Sequence, residues 1–320
     1  MRIPKLFRKM LQRQALSNWQ GGVCWSDEGI ALASVQGMHE EEGTPRIRTC
    51  LWTPWEGPAG NAPLLHTLAS SHGLLKTPFN FCLDMDSYDL FPNEAADVGK
   101  EELASAMKWI VRDRLSFSVD EAVVDCFFIP DPIRLQQQRR VYVVATRKSV
   151  IQEHLNLLRP ARLRLQAIEV TELALNNIMA YLPESQEGVA LLYYPPGKEA
   201  GCLMVARDGH LYFTRRMRTV GTEPTLFGAD PLDALADEVQ RALDFVTATF
   251  TQAPVTALYL LAPTESDPVL REPLARRLNV RLKRLRMENF LDSNLAMEDA
   301  DFLRCLPALG EALRPVEVID

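Results

Sequence analysis

The chain has 320 residues, enough for two ordinary domains and a sizeable core. Lysine and arginine number 35 against 42 aspartates and glutamates, and the resulting formal charge of −7 argues against wholesale nucleic-acid binding. With 47% apolar and 24% charged residues the composition is that of a soluble globular protein, and no window of about 18 apolar residues marks a membrane-spanning helix.

The first residues, MRIPKLFRKMLQRQ, lack a long apolar run and a small-residue cleavage site, so they do not form a secretory signal. The expected location is therefore cytoplasmic. Ile3, Leu6, Phe7, Met10 and Leu11 recur at helical spacing and make one apolar stripe. Arg2, Lys5, Arg8, Lys9 and Arg13 add five positive charges with no negative one. Residues 1–16 thus form a basic amphipathic segment. It can lie on an anionic membrane surface or meet a partner, through Arg2, Lys5, Leu6, Phe7, Arg8, Lys9, Met10 and Arg13, or it can pack on the body of the protein.

Residues 22–35, GVCWSDEGIALASV, predict two strands around a polar turn at Asp27, Glu28 and Gly29. A strand follows at 46–52, a Pro/Gly-rich loop at 53–63, and a short helix ending at Gly73. FNFCLDMDSYDLF is expected as one strand, on which Asp84 and Asp86 share a face. A helix over 100–115 precedes two apolar runs, AVVDCFFIP and VYVVAT, expected to pair as a hairpin. A helix at 148–158, a strand at 163–170 and a helix at 172–182 complete the first half.

The second half starts near Gly188 with three strands, turning at Pro195-Pro196-Gly197 and at Asp208-Gly209. Asp230 as N-cap and Pro231 as first helical residue open a long helix, with Leu232, Leu235, Val239, Leu243, Val246 and Phe250 as its core stripe. VTALYLLAP is a strand; a helix near 268–278, a strand near 280–286 and a helix near 301–313 end the chain. A strand meander followed by helix-and-strand units, given twice, is the layout of an α/β, actin-like (ribonuclease H-like) two-domain fold.

Several segments carry a more specific resemblance: EELASAMKWIVRDRLSFSVDEAVVDCFFIP, VYVVATRKSVIQEHLNLL, LQAIEVTELALNNIMAYLPE, EVQRALDFVTATF and FLRCLPALGEALR. Together they resemble the PilM family of type IV pilus assembly proteins, within it the branch of mannose-sensitive haemagglutinin (MSHA) pilus biogenesis, MshI. The resemblance covers roughly residues 20–315. It implies an actin-like first domain over 20–186, with an inserted subdomain at about 83–140. A second domain over 187–320 sends its final helix back to the first. It also implies a cytoplasmic protein peripheral to the inner membrane, which receives the cytoplasmic tail of a bitopic, PilN-like inner-membrane protein.

Actin-like ATPases use two Asp-x-Gly hairpins for phosphate and magnesium and a Gly-Gly turn for adenosine. Glycines let backbone N–H groups approach phosphate, and the aspartates organise hydrated magnesium. Laid on the family's GIDIGSSSVK pattern, this chain has Cys24 at the aspartate, Ser26 at the glycine and Ala31 at the lysine. The degenerate hairpin therefore comprises Cys24, Ser26, Asp27, Glu28 and Gly29. The second hairpin, GVALLYYPPG, has no Asp-x-Gly, and ALYLL runs into APTESD without Gly-Gly. The expectation is no bound cofactor, ATP included, and no catalytic residue.

Other chemistries lack their signatures. Gly99-Lys100 and Gly197-Lys198 are not P-loops, no GxSxG elbow occurs, and the five histidines show no metal spacing. Cys24, Cys50, Cys82, Cys126, Cys202 and Cys305 form no CxxC pair and are expected as free thiols. Arg271, Arg276, Arg277, Arg281, Lys283, Arg284 and Arg286 face only Glu272 in their stretch; they can meet anionic lipid, nucleic acid or an acidic partner, and a solvated helix face with a charge-protected edge strand explains them as well. Two functions follow: a non-enzymatic adaptor of pilus assembly, or a divergent actin-like ATPase or nucleotide-dependent switch.

Overall fold

The structure, a computed structural model, describes residues 19–36, 45–55, 61–130, 139–198, 200–218, 230–250, 254–264, 266–285 and 297–315. The basic segment, including Arg2 to Arg13, lies outside the described residues, as does Arg286.

The first sheet has the order β3-β2-β1-β4-β8, built from β1 (Trp19–Trp25), β2 (Gly29–Gln36), β3 (Arg46–Pro54), β4 (Pro78–Leu83) and β8 (Arg164–Val170). β1 and β2 are antiparallel, as are β2 and β3, whereas β4 and β8 run parallel to β1. The second sheet repeats this order as β11-β10-β9-β12-β13, from β9 (Val189–Tyr193), β10 (Ala200–Arg207), β11 (His210–Arg218), β12 (Ala257–Leu261) and β13 (Arg281–Arg284). Two copies of one topology in one chain are the actin-like architecture.

Successive side chains alternate between the two faces of a sheet, and in β2, β9 and β12 both faces are buried. In β2, Ile30 and Leu32 face a core closed by α1 (Ala62–Ser71) through Leu65 and by α3 (Lys148–Leu158) through Leu157 and Leu158. Ala31, Ala33 and Val35 face the other way, toward α4 (Thr171–Met179) and α7 (Asp299–Ala312). These two helices lie between the sheets, because the same core takes in Leu191, Tyr193 and Met204 of the second sheet. The close seating of α7 needs Gly22: a Cβ there would stand 1.9 Å from the Ala308 carbonyl oxygen. The outer face of the second sheet is covered by α5 (Pro231–Phe250) and α6 (Asp267–Arg277).

Between β4 and α3 the first lobe carries a further three-stranded sheet, β5-β7-β6, from β5 (Asp89–Glu94), β6 (Ala122–Phe128) and β7 (Arg140–Arg147), with α2 (Lys100–Ile110) packed on it. The β6–β7 pairing is the expected hairpin. Its central strand is β7, so the sheet runs on to Arg147, past the expected boundary at 140.

One sequence expectation fails here. FNFCLDMDSYDLF is not a single strand: the Asp84 carboxylate accepts the Asp86 N–H (3.4 Å) and the Ser87 N–H donates to the Asp84 carbonyl (2.8 Å). This 3-10 turn at Met85–Ser87 carries the chain out of the first sheet into the third, so Asp84 and Asp86 do not share a strand face.

His154 of α3 is half-buried on the Trp25 and Phe81 rings (centroids at 5.2 and 4.7 Å), and burial lowers its pKa to about 4. All six cysteines are free, with Cys24 and Cys126 half-buried and the others buried. Among the described residues no helix is long and apolar enough to cross a membrane.

Candidate functional site: the cleft between the lobes

The parallel strands of both sheets point their C-terminal ends at one cleft, the position where open α/β sheets take ligands. Its floor is the β1–β2 hairpin. Cys24 pairs with Ala31 and Trp25 with Ile30, so the turn is Ser26-Asp27-Glu28, and Gly29 already belongs to β2.

The turn's hydrogen-bonding groups are turned inward. The Ser26 N–H donates to the Gly29 carbonyl (3.0 Å), and the Glu28 N–H to Ser26 Oγ (3.3 Å). The Ser26 and Glu28 carbonyls accept from the Trp55 indole (2.7 Å) and the Trp55 N–H (3.1 Å). Gly29 does not have the positive φ of a phosphate nest. It is needed for packing, since a Cβ would stand 2.6 Å from the Trp52 ring. Cys24, expected from the sequence to stand where the hairpin's metal carboxylate would be, donates weakly to the Arg304 carbonyl (3.9 Å), and burial pushes its thiol pKa far up. A thiol held neutral is not a magnesium ligand.

The facing loop after β9 carries Tyr194-Pro195-Pro196-Gly197-Lys198. Two consecutive prolines remove two backbone donors. The Lys198 N–H turns back to the Pro195 carbonyl (3.3 Å), and the Tyr194 N–H donates to Leu261 (2.7 Å). Gly197 has φ +76°, and the Glu28 carboxylate occupies the space a Cβ would take, so the two hairpin tips touch.

Lys198 then crosses the cleft. Its Nζ lies 2.8 Å from Asp84 Oδ2 and 2.8 Å from Asp86 Oδ2. Burial works against the ammonium charge, but the two carboxylates outweigh it and raise the lysine pKa above its usual value. Arg304 of α7 closes the side, 3.6 Å from the Glu28 carboxylate and 4.5 Å above the Trp52 ring. The remaining cavity, lined by Ser26, Glu28, Trp52, Asp84, Lys198 and Arg304, is about 70 Å³. Small-molecule sites are usually about 300–1,000 Å³. Among the described residues no group of three or more metal-ligating side chains converges.

At the expected adenosine position, the turn after β12 closes on itself: the Ser266 and Asp267 N–H groups both donate to the Pro263 carbonyl (2.8 and 2.9 Å). The buried Asp267 carboxylate is held by Arg271 (2.9 and 2.7 Å) and Arg284 (2.6 Å). Arg276 and Arg277 pair with Asp233, Arg277 also with Asp237, and Lys283 with Glu184. The basic stretch is thus largely neutralised within the second lobe.

The third sheet bridges the lobes. The Tyr142 hydroxyl of β7 accepts the Thr214 N–H of β11 (2.9 Å), and Ile129 and Tyr142 enter the core of the second lobe. Arg216 donates to the Tyr88 carbonyl (3.2 Å) and lies over its ring (5.1 Å), while the Tyr88 hydroxyl donates to the buried Glu172. This network escaped sequence reasoning; Arg216 lies in an ordinary-looking strand. Four of the six exposed large hydrophobics among the described residues, Val98, Trp109, Ile110 and Phe128, belong to this subdomain.

No protein-family model and no curated protein matches the sequence. Among solved structures, a PilM-PilN type IV pilus biogenesis complex is similar with a TM-score of 0.70 and 20% identity, over 93% of this chain and 98% of that one. The cytoplasmic domain of EpsL, an inner-membrane component of the type II secretion system of Vibrio cholerae, gives 0.47 at 12% identity, over 90% and 94%. A Bacteroides thetaiotaomicron protein of unknown function with an actin-like ATPase fold gives 0.47 at 10% identity, over 90% and 96%. The chain shares the fold of the first of these.

Proposed function

We propose that this chain is a non-enzymatic adaptor of a type IV pilus assembly machine, of the PilM-like, MSHA-type branch. It stands at the cytoplasmic face of the inner membrane and docks the cytoplasmic tail of a bitopic, PilN-like protein. The observation that carries the reading is the likeness to the PilM-PilN complex over 93% of this chain. The apolar patch at Trp109 and Ile110 supports a protein partner on that subdomain.

The cleft supports the non-enzymatic part. Two of its turn amides, those of Ser26 and Glu28, bond internally, two prolines line its second hairpin, and its own lysine sits on the aspartate pair. Two measurements test the proposal. A pull-down with the tail of the partner is expected to capture the chain equally with and without nucleotide; no capture in either condition overturns the adaptor reading. Ligand binding to the native state raises the melting temperature. Excess Mg-ATP is therefore expected to leave the melt unchanged, and a clear upward shift would favour the nucleotide-dependent switch instead.

A further inference from the structure

At the end of the first lobe opposite the cleft, all five strands of the sheet begin or finish together. β1, β4 and β8 start there at Trp19, Pro78 and Arg164, β2 ends at Gln36 and β3 begins at Arg46. Five strands at about 4.8 Å spacing make a front about 19 Å wide. Arg46, Arg48, Lys76, Arg159, Arg162 and Arg164 lie along it.

Arg48, Lys76, Arg159 and Arg162 are exposed, and Lys76, Arg159 and Arg162 form no ion pair with a carboxylate of the described residues. The turns at 72–78 and 159–164 contain no aspartate or glutamate. Elsewhere in this net-negative chain Arg271, Arg276, Arg277, Arg284, Arg304 and Arg314 are all matched to carboxylates. Other cations, among them Lys100, Arg241 and Arg281, also form no ion pair among the described residues, but Lys76, Arg159 and Arg162 stand together at one end of one sheet.

The platform is fixed. The Arg162 N–H closes a turn on the Arg159 carbonyl (3.0 Å) at φ +58°, and the Ala161 carbonyl bonds His66 Nδ1 of α1 (3.0 Å). Arg48 lies over the Trp19 ring (5.1 Å), where the chain arrives from the segment carrying Arg2, Lys5, Arg8, Lys9 and Arg13. Glu40, Glu41 and Glu42 belong to the β2–β3 connection. The end of β2, where that connection leaves, is two spacings, about 10 Å, from β4. The cleft end of the same lobe carries Glu28, Asp84, Asp86 and Asp301. Those carboxylates are met by Lys198 and Arg304, whereas Lys76, Arg159 and Arg162 are not met by any among the described residues, and an exposed cationic end is attracted to an anionic plane.

We infer that this end of the first lobe is a docking face for an anionic lipid bilayer, with the cleft pointing away from it. The inference deepens the peripheral-membrane part of the proposed function and rests on it for the presence of a bilayer.

Flotation of the full chain with vesicles of phosphatidylglycerol and phosphatidylethanolamine, against neutral phosphatidylcholine vesicles, tests it. Each surface cation contributes roughly fivefold to binding an anionic membrane. Lys76→Gln/Arg159→Gln/Arg162→Gln is expected to weaken binding about 100-fold, and Lys76→Gln alone about fivefold. The charge-matched Lys100→Gln/Arg112→Gln/Arg241→Gln variant is expected to bind like wild type, and all variants to melt like it. Deleting residues 2–13 is expected to weaken binding, and adding the triple substitution to weaken it further. If the triple variant binds as the control does and only the deletion matters, the docking face is overturned while peripheral attachment stands. If the intact chain ignores anionic vesicles, or takes single-stranded nucleic acid in their place, both fall; the pull-down with the partner tail judges the adaptor reading separately.

Discussion

Glu311 offers the sharpest test of how α7 is seated. It has no exposed surface, and neither carboxylate oxygen has a hydrogen-bond partner among the described residues. Its backbone carbonyl accepts from Gln20 Nε2 (3.3 Å), Asn80 Nδ2 (3.0 Å) and the Arg314 N–H (3.3 Å). Burial first, and the Glu169 charge second, push its pKa well above the ordinary value of 4.5, with Arg314 opposing. The folded state therefore keeps a proton that the unfolded chain gives up. A carboxyl raised in this way stabilises the fold fully below the unfolded pKa, and that contribution is lost as pH rises toward the folded pKa. Each pH unit in that window costs about 1.4 kcal/mol.

Glu311→Met keeps the length of the side chain and removes the titration. Urea unfolding of both proteins at pH 4.5 and 7.5 is expected to show near-equal stability at the lower pH. At the higher pH the variant is expected to be ahead, by as much as about 4 kcal/mol if the carboxyl stays neutral throughout. A gap that does not change with pH, or that widens toward acid, would mean that Glu311 is ionised and paired, and the account of this helix would be wrong.

Gly22→Ala drives a methyl group into the Ala308 carbonyl; it is expected to cost at least about 3 kcal/mol and to be visible as a large drop in melting temperature, whereas Gly99→Ala, with open space around it, leaves the melt unchanged. Lys198→Met strands Asp84 and Asp86 at the cleft and is expected to cost about 1–2 kcal/mol, discounted for their partial exposure; hydrogen exchange should rise at both hairpin tips, and unchanged exchange there would refute the cross-cleft contact. Asp267 is partly desolvated, which works against its charge, but Arg271 and Arg284 win and hold its pKa below the ordinary value. A depressed carboxyl stabilises above its unfolded pKa, so Asp267→Asn is expected to destabilise at pH 7 and to approach wild type as pH falls below about 3.8, the ordinary aspartate value; equal destabilisation at both ends would refute the pairing.

Local signals carried much of the architecture. The long helix starts where Asp230 and Pro231 announce it, with the Leu232 N–H on the Asp230 carboxylate (2.9 Å), and Leu235, Val239, Leu243, Val246 and Phe250 are all buried. The repeated strand order follows from the same kind of pattern, because apolar periodicity and turn residues are properties of neighbouring positions. What escaped was long-range. Lys198 meets Asp86 across 112 positions, and Arg276 and Arg277 meet Asp233 across 43 and 44. Nothing in RRLNVRLKR points to partners on another helix. The misjudged strand at Asp84 has the same origin: apolar alternation continues through DMDSYDLF, while the capping carboxylate that turns the chain depends on geometry alone.

A cation carried on a lysine side chain differs in kind from a dissolved one. Its concentration at Asp84 and Asp86 is set by the length of the loop that bears it, not by the magnesium or the nucleotide pool of the cell. Ionic strength and the protonation of the two carboxylates can loosen the contact; a falling supply of ATP cannot. The two hairpin tips are therefore joined by an intramolecular contact, whose strength is set by the loop that carries the lysine and by the ionisation of the two carboxylates.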